Sequence, residues 1–142
     1  MISEFLAPVE ENIVDFKESL PERSIGKKIN LYNKSFTNLT NIDIAVIGLN
    51  EYRGSDQTNT NYLKINYLRK EFYSLYSGDW NINLIDLGDV INGDKLSDTY
   101  YAVQIICEEL IEIYNLIDST GISKKLIFKL SDLFEELDIE YE

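Results

Sequence analysis

Residues 42–49, Ile-Asp-Ile-Ala-Val-Ile-Gly-Leu, decide the fold. From Ile44 to Ile47 the run is apolar without interruption. A strand with one face in water alternates apolar and polar residues, whereas a continuous apolar run marks a strand covered on both faces. Moving outward, residues 50–60 are polar and read as a loop. Leu63, Tyr67, Phe72 and Tyr76, with Leu68 and Leu75, then recur at helical spacing, and Gly78 is a stop signal just beyond them. Ile-Asn-Leu-Ile-Asp-Leu at 82–87 reads as a second strand, followed by Gly88. Two strands joined through a helix of this length form a parallel pair with a right-handed crossover. The expected fold class is α/β: a small parallel sheet of two, possibly three, strands, with a βαβ unit and flanking helices.

The flanks are less decisive. Residues 1–21 are expected to hold an N-terminal helix, opened by Pro8, striped by Ile13, Phe16 and Leu20, and ended by Pro21. Residues 22–41 look like a connecting segment. After a loop at 89–95, Ser97 is a good N-cap and Asp98 sits near the positive end of the helix dipole. Leu96, Tyr100, Val103, Cys107, Leu110, Tyr114 and Ile117 then share a face, and Gly121 is a C-terminal stop. Strand, helix, strand and helix thus make an αβ segment over 42–117. Residues 122–138 are read as an acidic C-terminal helix on the spacing of Leu126, Leu130, Leu133 and Leu137. The alternative is a short third strand at Leu126-Ile127-Phe128. The 142 residues fit a single domain.

Charge narrows the function classes. With 25 acidic against 13 basic residues the net charge is −12, and Lys and Arg occur singly or in pairs such as Lys27-Lys28, Arg69-Lys70 and Lys124-Lys125. Nucleic acid and anionic membranes both require clustered cations, so neither is expected as a partner. One cysteine, Cys107, cannot form an internal disulfide, which suits a reducing compartment. Glu4, Glu10, Glu11 and Asp15 at the start match neither a secretory signal nor a transit peptide. A cytoplasmic location is expected.

Zero histidines removes the imidazole-based metal sites, acid–base pairs and triads. Asp86, Asp89 and Asp94 cluster near the end of the second strand, where α/β proteins place their sites. Their oxygens suit a hard cation, but the spacing is not that of an EF-hand, and the expected reading is turn residues bonding their own backbone. Glu51 and Arg53, in the loop after the first strand, are expected to form an exposed ion pair of little energetic weight. Cys107 reads as a packed core thiol. Tyr67, Tyr76, Tyr100 and Tyr114 read as core or half-buried residues. Glu108-Glu109 and Glu135-Glu136 are adjacent, so they diverge on a helix as solvated charges. No residue is assigned a catalytic, cofactor-binding or metal-ligating role.

From about Phe5 to Glu112 the chain resembles the start of formimidoylglutamase-type members of the arginase/agmatinase (ureohydrolase) family. The resembling pieces are Asn12 to Pro21, Ile44 to Arg53, Leu68 to Trp80 with its Leu68-Arg69 pair, and Ile85 to Val90 with Asp86-Leu87-Gly88, followed by Asp98-Thr99-Tyr100. The resemblance implies the N-terminal part of an arginase-like three-layer sandwich. It also implies a hydrolase of guanidino or formimidoyl C–N bonds that uses two Mn²⁺ ions to activate a bridging hydroxide. The family's ligand segments, Gly-Gly-Asp-His, Asp-x-His-x-Asp and Asp-x-Asp, do not occur in this sequence. Where the family has glycine and proline before its first crossover helix, Asn59-Thr60-Asn61 stands here. An apolar third strand ending in paired glycines is missing after Leu116. The chain alone is therefore expected to be inactive and to hold no cofactor. Self-association, or a protein partner that completes the sheet, is the expected mode of interaction.

Overall fold

The computed structural model describes residues 2–33, 39, 41–53, 65–119 and 126–129, with side chains to residue 113. A single 3-10 turn at Ile2–Glu4 leads into β1, Leu6–Ala7. Helix α1, Glu11–Ser19, follows, and Leu20 and Pro21 lie beyond it as expected. The segment read as a connection is partly built. Ser24 caps a one-turn helix α2, Ile25–Lys28, by accepting from the Lys27 N–H at 3.1 Å. Strand β2, Asn30–Leu31, comes next. Then come β3, Ile44–Gly48; α3, Ile65–Ser74; β4, Leu84–Val90; α4, Leu96–Ser119; and β5, Leu126–Lys129.

The sheet runs β1-β4-β3-β5, with β2 also pairing β4. Strands β3 and β4 are parallel neighbours joined through α3, as the sequence implies. Two expectations are corrected. The sheet is mixed and has five described strands, because β1 adds antiparallel to β4. Residues 126–129 form a strand parallel to β3 rather than part of a helix. Pairing with β3 satisfies the backbone of this short apolar run, which outweighs the helical spacing of its leucines; the rest of 122–138 lies outside the described residues. A parallel strand thus does follow α4, and with β2, β3 and β4 it is the fourth parallel strand described.

The chain steps from β3 to β4 and then back across β3 to β5. Right-handed crossovers on such a path put α3 and α4 on opposite faces. Accordingly, Ala45, Ile47, Ile85, Leu87 and Val90 pack with Ala102, Val103, Ile106 and Leu110 of α4. On the other face Val46 packs with Ile65, Leu68 and Phe72 of α3, while Tyr73 joins Ile13 and Ile29.

Helix α3 turns a different face inward than apolar spacing suggests, whereas α4 keeps the expected Val103, Cys107 and Leu110 inward and is rotated slightly away from Tyr100. In α3 the buried residues are Ile65, Arg69 and Tyr73, while Tyr67, Leu75 and Tyr76 are exposed. In α4 Ala102 and Ile106 are buried, Tyr100 is exposed and Cys107 is half-buried against the core. The tyrosines can keep their hydroxyls in water, and small Ala102 lets the helix approach the sheet closely. Among the described residues the buried tyrosines are Tyr32 and Tyr73; the Tyr114 side chain lies outside them. The cap of α4 is corrected too. Asp98, not Ser97, closes the first turn by accepting from the Lys95 N–H at 3.0 Å. Among the described residues, no helix is long and apolar enough to cross a membrane.

Candidate functional site

The carboxyl ends of β3 and β4 gather most of the polar side chains that the fold buries. The position of β4 in its ladder explains how. Val46 pairs Asp86, yet Gly48 pairs Asp89, so β4 carries one more residue than β3 over this step. The extra residue is a bulge, and Gly88 sits in it with φ +85°. Side chains alternate along a regular strand, so Asp86 and Asp89 would point to opposite faces. The bulge resets the alternation and turns Asp89 to the α3 side with Asp86, while Val90 returns to the α4 side.

Arg69, one helical turn from Ile65 and another from Tyr73, reaches this spot and is fully buried. Its Nε donates to Asp86 Oδ2 at 2.7 Å and its Nη2 to Asp86 Oδ1 at 3.1 Å, a bidentate pair. The Tyr73 hydroxyl donates to Oδ2 at 2.7 Å and the Gly88 N–H to Oδ1 at 2.9 Å. All four donors converge on one carboxylate. Arg69 Nη1 donates to Asn66 Oδ1 at 3.2 Å and lies 2.8 Å from Asp89 Oδ1. This second contact is electrostatic: it runs off the N–H direction, and Asp89 Oδ1 is buried without a directed hydrogen bond. Burial opposes the charge on Arg69, but Asp86, helped by Asp89, outweighs it and pushes the guanidinium pKa further up. Burial, then the Asp86 charge, pushes the Tyr73 phenol well up, keeping it a donor. Burial pushes the Asp89 carboxyl up against the pull of Arg69.

A second cluster lies in the loops beyond the strand ends. Arg53 Nε and Nη2 donate to the two Glu51 oxygens at 2.9 and 2.7 Å. Its Nη1 donates to the Asp94 carbonyl at 2.7 Å, and its Nη2 to the Gly93 carbonyl at 2.8 Å and Thr99 Oγ1 at 3.2 Å. Thr99 Oγ1 in turn accepts from the Gly93 N–H at 2.9 Å. One arginine thus fastens the loop after β3 to the loop and first turn of α4, and Asn92 Nδ2 donating to the Asn50 carbonyl at 2.8 Å supports it. The expected ion pair is present, but only half of it is exposed: Arg53 is 41% accessible and Glu51 3%. The hydrogen bond from Arg53 holds the Glu51 carboxyl down to about 2, from an ordinary 4.5. Any stability from this pair is therefore present above 4.5 and is lost as pH falls toward 2.

No protein family, curated protein or solved structure matches this chain.

The geometry assigns the sequence candidates as follows. Asp86 and Asp89 meet, but around a guanidinium. Asp94 contributes its backbone carbonyl to Arg53 and is not brought to that pair. Among the described residues, no three His, Cys, Asp or Glu side chains are grouped to hold a metal ion. In the sequence Arg69 is one of several scattered cations; in the structure it is the centre of the network. The signal was Asp86 itself. A carboxylate inside a strand covered on both faces needs a buried cation, and Arg69 lies at 65, 69, 73 spacing on the crossover helix.

Proposed function

We propose that this chain is a non-catalytic, cytoplasmic scaffold resembling the N-terminal αβ part of an arginase/formimidoylglutamase-type ureohydrolase. One observation carries the reading. Leu68-Arg69 and Asp86-Leu87-Gly88, two of the short pieces behind the resemblance, meet in a single buried ion pair. The donors around Asp86 are spent on holding α3 to β4, which is structural work. On the same reading, the βαβ unit with helices on both faces is the first portion of an arginase-like three-layer sandwich. The dimanganese ligand segments are missing from the sequence, so no step of metal-assisted hydrolysis is assigned to any residue here.

The purified chain supplied with Mn²⁺ is expected to release neither formamide from formimidoylglutamate nor urea from arginine or agmatine. Manganese-dependent release above a no-protein control overturns the proposal. Gene context provides a second arm: a downstream reading frame carrying the Asp-His segments, whose product restores hydrolysis when co-expressed, favours half of a split enzyme over a scaffold that works alone.

A second reading, an interaction module that binds another copy of itself, is favoured by the surface around Gly78. Trp80 is 71% and Tyr76 61% exposed there, beside exposed Leu75. Such grouped apolar exposure favours association, and the −12 charge opposes it. Light scattering over a wide concentration range is expected to show the mass rising toward a weak dimer, and Trp80→Ser to suppress the rise. A constant monomer mass excludes this reading.

A further inference from the structure

We propose that Asp89 is a proton switch: its carboxyl takes up one proton from solvent, neutralises the Arg69–Asp86–Asp89 group, and tightens the seam where β1 and α3 meet the end of β4. The geometry carries this. Two carboxylates face one guanidinium, so with both ionised the group holds one negative charge too many. The Asp89 side chain is 25% exposed, which gives solvent protons access to it, but its Oδ1 is buried. A partly buried excess charge is costly, and a like-charged neighbour makes it costlier. The two acids are served unequally. Asp86 takes four directed hydrogen bonds, whereas Asp89 Oδ1 is buried with one misdirected contact. Of the two, Asp89 is the one whose charge the fold leaves poorly compensated.

Among the described residues, the other elements packed against Asp89 add no cation besides Arg69. Strand β3 brings Gly48, whose missing side chain makes the room that Asp89 Oδ1 fills. Strand β1 brings Ala7, which pairs Asp89 in the ladder. The approach to α1 brings Glu10, whose charge also disfavours an ionised Asp89. From α3 come Arg69, already committed to Asp86, with Asn66 bonded to it, and the neutral Tyr73 hydroxyl. Protonation at Asp89 leaves one guanidinium facing one carboxylate, and relieves the strand end that carries β1.

The sign follows from linkage. Asp89 binds its proton more tightly in the folded chain than at the ordinary 3.8 of the unfolded chain. Its contribution to stability is therefore fully present below 3.8 and is lost as pH rises through its raised value. The folding constant falls up to tenfold for each pH unit between the two values. This is opposite in sign to Glu51, so the two are separable.

Urea denaturation of the full chain from pH 4 to 8, compared with Asp89→Asn and with Asp15→Asn as an exposed charge-matched control, tests the proposal. The Asp89→Asn chain is expected to gain on the wild type as pH rises and then hold a constant lead, with no such pH-dependent gain in the control. Parallel profiles for wild type and Asp89→Asn overturn it. A measurement on the unmutated chain covers the case in which the variant fails to fold. The Asp89 carboxyl carbon resonance should titrate above 3.8, and the Ile91 amide, which donates to the Phe5 carbonyl at 2.9 Å across the β1 seam, should gain protection at the acid end after correction for intrinsic exchange. Titration at or below 3.8, or unchanged protection at Ile91, overturns it as well.

Discussion

Arg69→Met lowers the unfolding free energy by about 3–5 kcal/mol, the loss typical of removing one partner from a buried ion pair. Methionine roughly conserves the length of the side chain, so little of the loss comes from a cavity. It comes from Asp86, which stays fully buried with its charge and loses two donors, keeping only Tyr73 and the Gly88 N–H. Asp89 loses its guanidinium contact at the same time. Urea denaturation followed by circular dichroism reads the effect. A double-mutant cycle with Asp86→Leu separates its parts. The double variant should be less destabilised than the sum of the singles, because no buried charge is left uncompensated at Asp86. Arg53→Met is the comparison: its guanidinium is partly in solvent, where ion pairs contribute little, so its effect should be far smaller. Comparable losses at the two arginines would mean that burial at Arg69 carries no special weight.

The parts of the fold legible in the sequence are those set by contiguous apolar runs. Residues 44–47 can be nothing but a doubly covered strand, and the 82–87 run with a helix between them fixes a parallel pair. The short strands were not legible. β1 and β2 have two residues each, too few for any period, and exist because β4 offers edges to pair with. β5 has four residues with both helical and extended readings, and only β3 decides between them. The face of α3 is misread from spacing because a pattern that counts apolar residues puts arginine outside. In α3 the inward centre is Arg69, so the stripe read from Tyr67 and Tyr76 was rotated toward solvent. At the candidate site the sequence supplied the right residue types at the right strand ends. Their pairing was hidden: Asp89 faces Arg69 only because of a one-residue bulge, and an alternating pattern places it on the far side.

Gly88→Ala follows from that bulge and is expected to be the most disruptive single-methyl change in the described fold. Two costs add. Gly88 has φ +85°, where a residue with a side chain is strained by about 1–3 kcal/mol. A Cβ there would also collide with the Ala7 carbonyl oxygen, a backbone atom that has no rotamer by which to escape. Relief requires β1 to move off β4, breaking the Leu6–Val90 and Ala7–Asp89 pairing, or requires the bulge to shift and return Asp89 to the opposite face. The first exposes Leu6, which is fully buried, and the second turns the Asp89 carboxylate toward the apolar face that packs on α4. Gly78→Ala isolates the backbone cost. Gly78 has φ +63°, but the nearest atoms to a Cβ there lie 3.8 Å away, an ordinary contact, so only strain is added. Gly88→Ala should therefore lose clearly more stability than Gly78→Ala, and amide exchange at Ile91 should quicken only in the first, because its bond to Phe5 spans the displaced seam. Equal losses, with Ile91 equally protected in both variants, would show that β1 tolerates the methyl group and that the bulge does not depend on glycine.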